Sequence, residues 1–246
     1  FKRNDVNHAE IFRNAKSILI TNKEHIELSK ILVSNKPLLK NSIIQNLLKE
    51  ELFHLMLQKT ICEDYFLENI LTKLRLEILI NLIDSKENIL NENLKFIVSL
   101  SEQCFFNEYV FFQTPQETHY INKLKTKLEK KSKINELDVA VLGSYIPLFS
   151  LEVLKKKLLS HTSSDLLFND LIAMQIKEPN KEKKIKNTIQ SLSKISDDIS
   201  LKVKNQYEEN PYPRWRYTYN QLSTPFLARL GHQIRPNKIK VENQFD

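Results

Sequence analysis

Apolar residues recur at intervals of three and four along most of this chain, which is the period of amphipathic helices. Residues 5–20 place Ile11, Ala15, Ile18 and Leu19 on one face, and a second helix after Thr21 and Asn22 uses Ile26, Leu28, Ile31 and Leu32. The Asn35-Lys36-Pro37 step ends it, because a residue before proline resists the α region. Residues 38–59 predict one longer helix through Leu39, Ile43, Leu47, Phe53 and Leu57. The strongest stripe lies in residues 63–83, where Leu67, Ile70, Leu71, Leu74, Ile78 and Leu82 share a face. Residues 91–112 predict another helix, rich in aromatic side chains.

Helix punctuation continues the pattern. Thr114-Pro115-Gln116-Glu117 has the form of a capping box with proline at the first helical position, and it predicts a helix to about residue 131. Residues 137–145 are apolar up to Pro147, and short helices are expected over 149–159 and 164–176, with Ser164 as the cap of the second. Glu178-Pro179-Asn180 reads as a turn, residues 181–192 as a charged segment, and residues 197–209 as a helix that runs into Asn210-Pro211. From Pro211 on the texture changes: four of the eight prolines fall there, and Tyr212, Trp215, Tyr217, Tyr219 and Phe226 alternate with polar groups. The expectation is an all-α fold, a multi-helix bundle or irregular solenoid over residues 1–200. Residues 201–246 would be a helix end followed by an extended arm rich in proline and aromatic residues. No 34-residue repeat with the fixed Trp, Leu, Gly and Tyr positions of tetratricopeptide repeats is visible.

Composition narrows the function classes. The chain has 246 residues and only two glycines, Gly143 and Gly231. Nucleotide and S-adenosylmethionine loops need glycines where backbone approaches the ligand, so no Rossmann-like domain is expected within these residues. No apolar run is long enough to span a bilayer and no signal peptide precedes the first helix, which points to a cytoplasmic setting. The first residue is Phe1, which is expected to be a boundary within a longer polypeptide. The net charge of +7 comes from lysines that alternate with glutamates, the pattern of solvated helix faces. Arginine is distributed differently: four of seven, Arg214, Arg216, Arg229 and Arg235, lie near the C-terminus.

Candidate chemistry is sparse. Cys62 and Cys104 are isolated in apolar contexts and read as buried thiols. Glu51 and His54 have the spacing of one half of a carboxylate-bridged metal site, but a second such pair is missing. Gln103 and Asn107, four apart, share a direction. They form either an ordinary polar strip or a polar patch that meets a neighbouring domain or lines a pocket.

The run Gln206-Tyr207-Glu208-Glu209-Asn210-Pro211-Tyr212-Pro213-Arg214-Trp215 holds the only tryptophan and closely resembles a segment of a bacterial family. Its members are class I S-adenosylmethionine-dependent methyltransferases, often carrying N-terminal tetratricopeptide repeats. In that family the run lies shortly before the first strand and the glycine-rich cofactor loop. Weaker similarity extends to residues 103–110, to residues 142–148 and to Gln175-Ile176-Lys177-Glu178-Pro179, so it covers roughly residues 50–220. The resemblance implies a non-catalytic helical accessory region whose partner is a methyltransferase domain beyond Asp246 in the same polypeptide. S-adenosylmethionine would be the cofactor of the parent and would not bind this region alone. Two readings of the run stay open. It is either a rigid linker docked by its aromatic residues or a lid over the cofactor pocket, with Tyr207, Tyr212, Arg214 and Trp215 as contacts. The alternatives to the family reading are a helical protein–protein interaction module and a basic domain that binds nucleic acid.

Overall fold

Short polar side chains start most of the helices by accepting the backbone N–H groups that a first turn leaves over. In a computed structural model, residues 1–84, 90–186, 188–189, 197–209 and 216 are described. They form α1 (His8–Leu19), α2 (Asn22–Val33), α3 (Ser42–Leu47), α4 (Glu51–Lys59) and α5 (Tyr65–Ile83). There follow α6 (Leu94–Phe106), α7 (Pro115–Lys130), α8 (Glu136–Gly143), a 3-10 turn (Leu148–Ser150), α9 (Glu152–Ser160) and α10 (Leu166–Ile172). A π turn (Ala173–Lys177), α11 (Glu178–Lys186) and α12 (Asp198–Glu209) complete them. The fold is all-α. Thr21 with Glu24, and Thr114 with Glu117, form complete capping boxes. Asn41, Asp64, Asn135 and Asp165 cap α3, α5, α8 and α10.

The core is built around α6. From Phe96 to Phe106 every residue of this helix is buried, as expected of a helix with neighbours on all sides. It packs against α4, α8, α10 and the π turn. Around this centre α1 leans on α4, α2 on α5, and α5 on α7 and α8. The stripe of residues 63–83 is fully realised in α5, where Leu67, Ile70, Leu71, Leu74, Ile78 and Leu82 are all buried. The main hydrophobic cluster runs from Ile20 to Ile176.

Several elements differ from their sequence-based expectation. Residues 38–59 are two helices, α3 and α4, with a tight turn between them where Lys49 and Glu50 bond back three residues. The break lets Leu47 and Leu48 both be buried, and the His54 ring Nε2 donates to the freed Leu48 carbonyl at 2.9 Å. The aromatic helix stops at Phe106 instead of continuing to residue 112. Glu108 adopts a left-handed φ of 54°, Tyr109 N–H reaches back to Cys104 O at 2.9 Å, and Glu108 N–H to Phe105 O at 3.4 Å. That is a Schellman closure made without glycine. Glu178-Pro179-Asn180 lies inside helical chain and is no turn. The π turn just before it carries the Glu178 N–H to Ala173 O, five residues back, so helical chain continues through a proline that donates nothing. Asp165, not Ser164, caps α10, and Ile18 and Ile26 are exposed instead of facing the core.

Candidate functional site

Four polar residues lie inside the buried helix α6: Ser99, Ser101, Glu102 and Gln103 are each fully buried. Gln103 is a fastener for the end of α4. Its Oε1 accepts from Cys62 N–H at 2.8 Å, and its Nε2 donates to Leu57 O at 2.7 Å and Thr60 O at 2.8 Å. Asn107 serves the helix end, its Oδ1 accepting from Tyr109 N–H at 3.1 Å.

A second node forms around Gln175 in the π turn. Its Nε2 donates to Ser101 O at 3.0 Å and Gly143 O at 3.1 Å, and lies 3.2 Å from Ser101 Oγ. Its Oε1 accepts from Leu148 N–H at 3.2 Å and from the Tyr109 hydroxyl at 3.4 Å, and that hydroxyl is also 3.2 Å from Gly143 O. Residues 103–110, 142–148 and 175–179 therefore meet at one place. Gly143 makes the approach possible, since a Cβ there would stand 2.5 Å from Ser101 Oγ.

The face beside this node is aromatic and acidic. Phe105, Phe106 and Met174 form a small buried cluster apart from the main core, flanked by Ile61, Tyr109 and Phe149. Arg216 is seated on it. The guanidinium makes a forked pair with Asp170, at 2.9 and 2.5 Å, lies 3.7 Å from Met174 Sδ, and stands 3.9 Å from Glu178 Oε1. Its side chain keeps only 14% of its surface exposed, against 41% for Asp170. Glu102, on the helix α6 that packs against α10, is within electrostatic reach of this seat. Among the described residues no donor meets either of its carboxylate oxygens in hydrogen-bonding geometry. The Gln58 amide is near enough to favour the charged form, while its Nε2 donates to Ser99 Oγ at 3.1 Å. Burial pushes the Glu102 carboxyl well above the usual range. Asp170 and Glu178 push the same way, and Arg216 opposes them.

Of the four residues expected in the aromatic run, only Tyr207 is among the described residues. It sits on α12 with 64% of its surface exposed. Tyr212, Arg214 and Trp215 lie outside the described residues. Cys62 and Cys104 are buried free thiols, pushed up by burial to about 12 and about 11. Glu51 is exposed and pairs with Lys2 at 3.1 Å, whereas His54 is buried and bonded to Leu48 O. Among the described residues no three His, Cys, Asp or Glu side chains gather as metal ligands.

Sequence reasoning missed Glu102, Asp170 and Arg75. Arg75 was legible in principle, because it stands four residues after Leu71 and four before Leu79 on the buried face of α5. It is 1% exposed, donates to Phe112 O at 2.7 Å and Phe111 O at 3.3 Å, and lies 4.2 Å from the centre of the Tyr145 ring. A shallow apolar groove of about 420 Å³ lies elsewhere, lined by His25, Ile26 and Val33 of α2. No family model, curated protein or solved structure matches this chain. Among the described residues no helix is long and apolar enough to cross a membrane.

Proposed function

We propose that this chain is a non-catalytic helical accessory region of an S-adenosylmethionine-dependent methyltransferase-like protein. In this reading the helical body orients a catalytic domain that follows in the same polypeptide. The supporting observation is the seat of Arg216. This residue directly follows the run that carries the family resemblance, and it is clamped to Asp170 and Glu178. Those partners border the node where the three weaker resembling segments meet. The clamp gives the chain that leaves the run a defined origin on the body, which an orienting region requires. Tyr207, Tyr212, Arg214 and Trp215 would then stand between body and catalytic domain, in position to cover a cofactor pocket.

Calorimetric titration of S-adenosylmethionine tests the reading. Two proteins are needed: this chain, and the chain extended by about 150 residues of its own reading frame, a typical domain length. Binding by the extended protein alone is expected, and Arg214→Ala or Trp215→Ala in it should weaken binding by ~1 kcal/mol or more. Absence of binding by both proteins would remove the methyltransferase reading. Binding left unchanged by both substitutions would leave the run a linker.

A further inference from the structure

We propose that Arg216, Asp170, Glu178 and Glu102 form a proton-coupled latch that holds residue 216 on the helical body. The geometry has two layers. The outer one is the forked Arg216–Asp170 pair, with Glu178 at 3.9 Å. A forked pair fixes both position and orientation of the guanidinium, so it locates the backbone of residue 216 as well as holding it. The inner layer is Glu102, a fully buried carboxyl with neither oxygen satisfied, on the helix that packs against α10. A buried polar group without a partner is costly to keep and calls for a reason. Here it puts a third ionisable carboxyl within electrostatic reach of one guanidinium.

Other charges around Glu102 do not supply the missing counter-charge. From α4, Gln58 is neutral, and Lys59 bonds to Asn4 Oδ1 and Lys2 O at 2.6 and 3.1 Å. Burial and the charge of Arg216 hold the Lys59 ammonium below its usual range. From α8, Asp138 is paired with Lys127 at 2.8 Å. In the π turn Lys177 is exposed. From α10 and α11 come Asp170 and Glu178, both of the same sign as an ionised Glu102. Arg216 is therefore the cation that favours the ionised form.

Linkage gives the direction. Because docked Arg216 lowers the proton affinity of Glu102, ionised Glu102 must strengthen docking by the same factor. At low pH the Glu102 carboxyl is neutral in both docked and released states and contributes nothing to the hold. As pH rises through the docked-state value, which lies well above the ordinary 4.5 of glutamate, the docked state loses its proton first, and the hold tightens. The extra hold is lost again as pH falls through the docked-state value.

Trp215 is the only tryptophan and is bonded directly to Arg216, so its emission is a built-in reporter. Arg216→Gln is expected to shift that emission and to speed amide exchange around residue 216 about tenfold at neutral pH. Asp170→Arg combined with Arg216→Asp should restore both. In the wild-type chain the emission should change with a midpoint above 4.5, and Glu102→Gln should remove that component while circular dichroism stays helical. Unchanged emission and exchange in Arg216→Gln would overturn the latch. A pH transition that persists in Glu102→Gln would overturn its coupling to the proton. Neither readout needs a cofactor, so the latch stands or falls apart from the methyltransferase reading.

Discussion

Gly143 is a residue chosen for its size. Its backbone needs no left-handed angle, but Ser101 Oγ occupies the place of a Cβ, 2.5 Å away. Ser101 in turn is fully buried and lies against the Gln175 amide, so it has little room to yield. Gly143→Ala is expected to cost about 1–3 kcal/mol by overpacking, read from denaturant unfolding. In a Ser101→Ala background the same substitution should cost less, because the obstructing oxygen is gone and the two changes are in contact. Strict additivity would show that the crowding lies elsewhere. The left-handed positions tell the converse story. Asn35, Glu108 and Tyr109 take positive φ angles of 51°, 54° and 59° without being glycine. Asn35 tolerates this conformation through its short polar side chain. Glu108 and Tyr109 do not have that excuse, and the helix end they build hands the Tyr109 hydroxyl to the Gln175 node.

The starts of α2 and α7 were legible in this sequence, and the end of α6 was not. Thr21 and Thr114 announce their helices because a cap acts within three residues, and a local rule leaves a local signature. The end of α6 leaves none, since its aromatic residues continue past Phe106 while Glu108 carries the turn that glycine normally marks. The π turn was equally hidden, and it is what turns Pro179 from a breaker into a helical residue. Most of the site was out of reach for a related reason. Arg216 finds Asp170 across 46 residues and Gln175 finds Ser101 across 74, and no spacing rule encodes such pairs. The α10 cap separates the two kinds of signal in one experiment. Asp165 accepts from Leu167 and Phe168 N–H at 2.8 and 3.2 Å, so Asp165→Ala should cost about 1 kcal/mol of stability. Ser164→Ala, at the position the pattern alone favours, should leave the unfolding midpoint where it is. The reverse ranking would mean that the cap sits one residue earlier.

At the scale of the whole molecule, Arg75 adds polar ties between elements that also share the main hydrophobic core. From α5 it reaches the carbonyls of Phe111 and Phe112 after α6, and Ser144 O after α8 at 3.4 Å. It also stands 4.0 Å from Glu117 of α7, whose Oε1 accepts from the Tyr145 hydroxyl at 2.8 Å. Glu117 meanwhile serves the Thr114 capping box through its other oxygen. One guanidinium thus sets the spacing of four segments. A buried ion pair is weak evidence for net stability, but removing one partner is expensive because the other is stranded. Arg75→Met is expected to cost about 3–5 kcal/mol in denaturant unfolding. Adding Glu117→Gln tests the reason, since glutamine keeps the capping box and discards the charge. If the stranded carboxylate dominates, the double variant should recover a large part of the loss. If it recovers nothing, the cost belongs to the three carbonyls that Arg75 ties together. The arginine would then hold the helices as a backbone ligand, and Glu117 would matter to α7 alone.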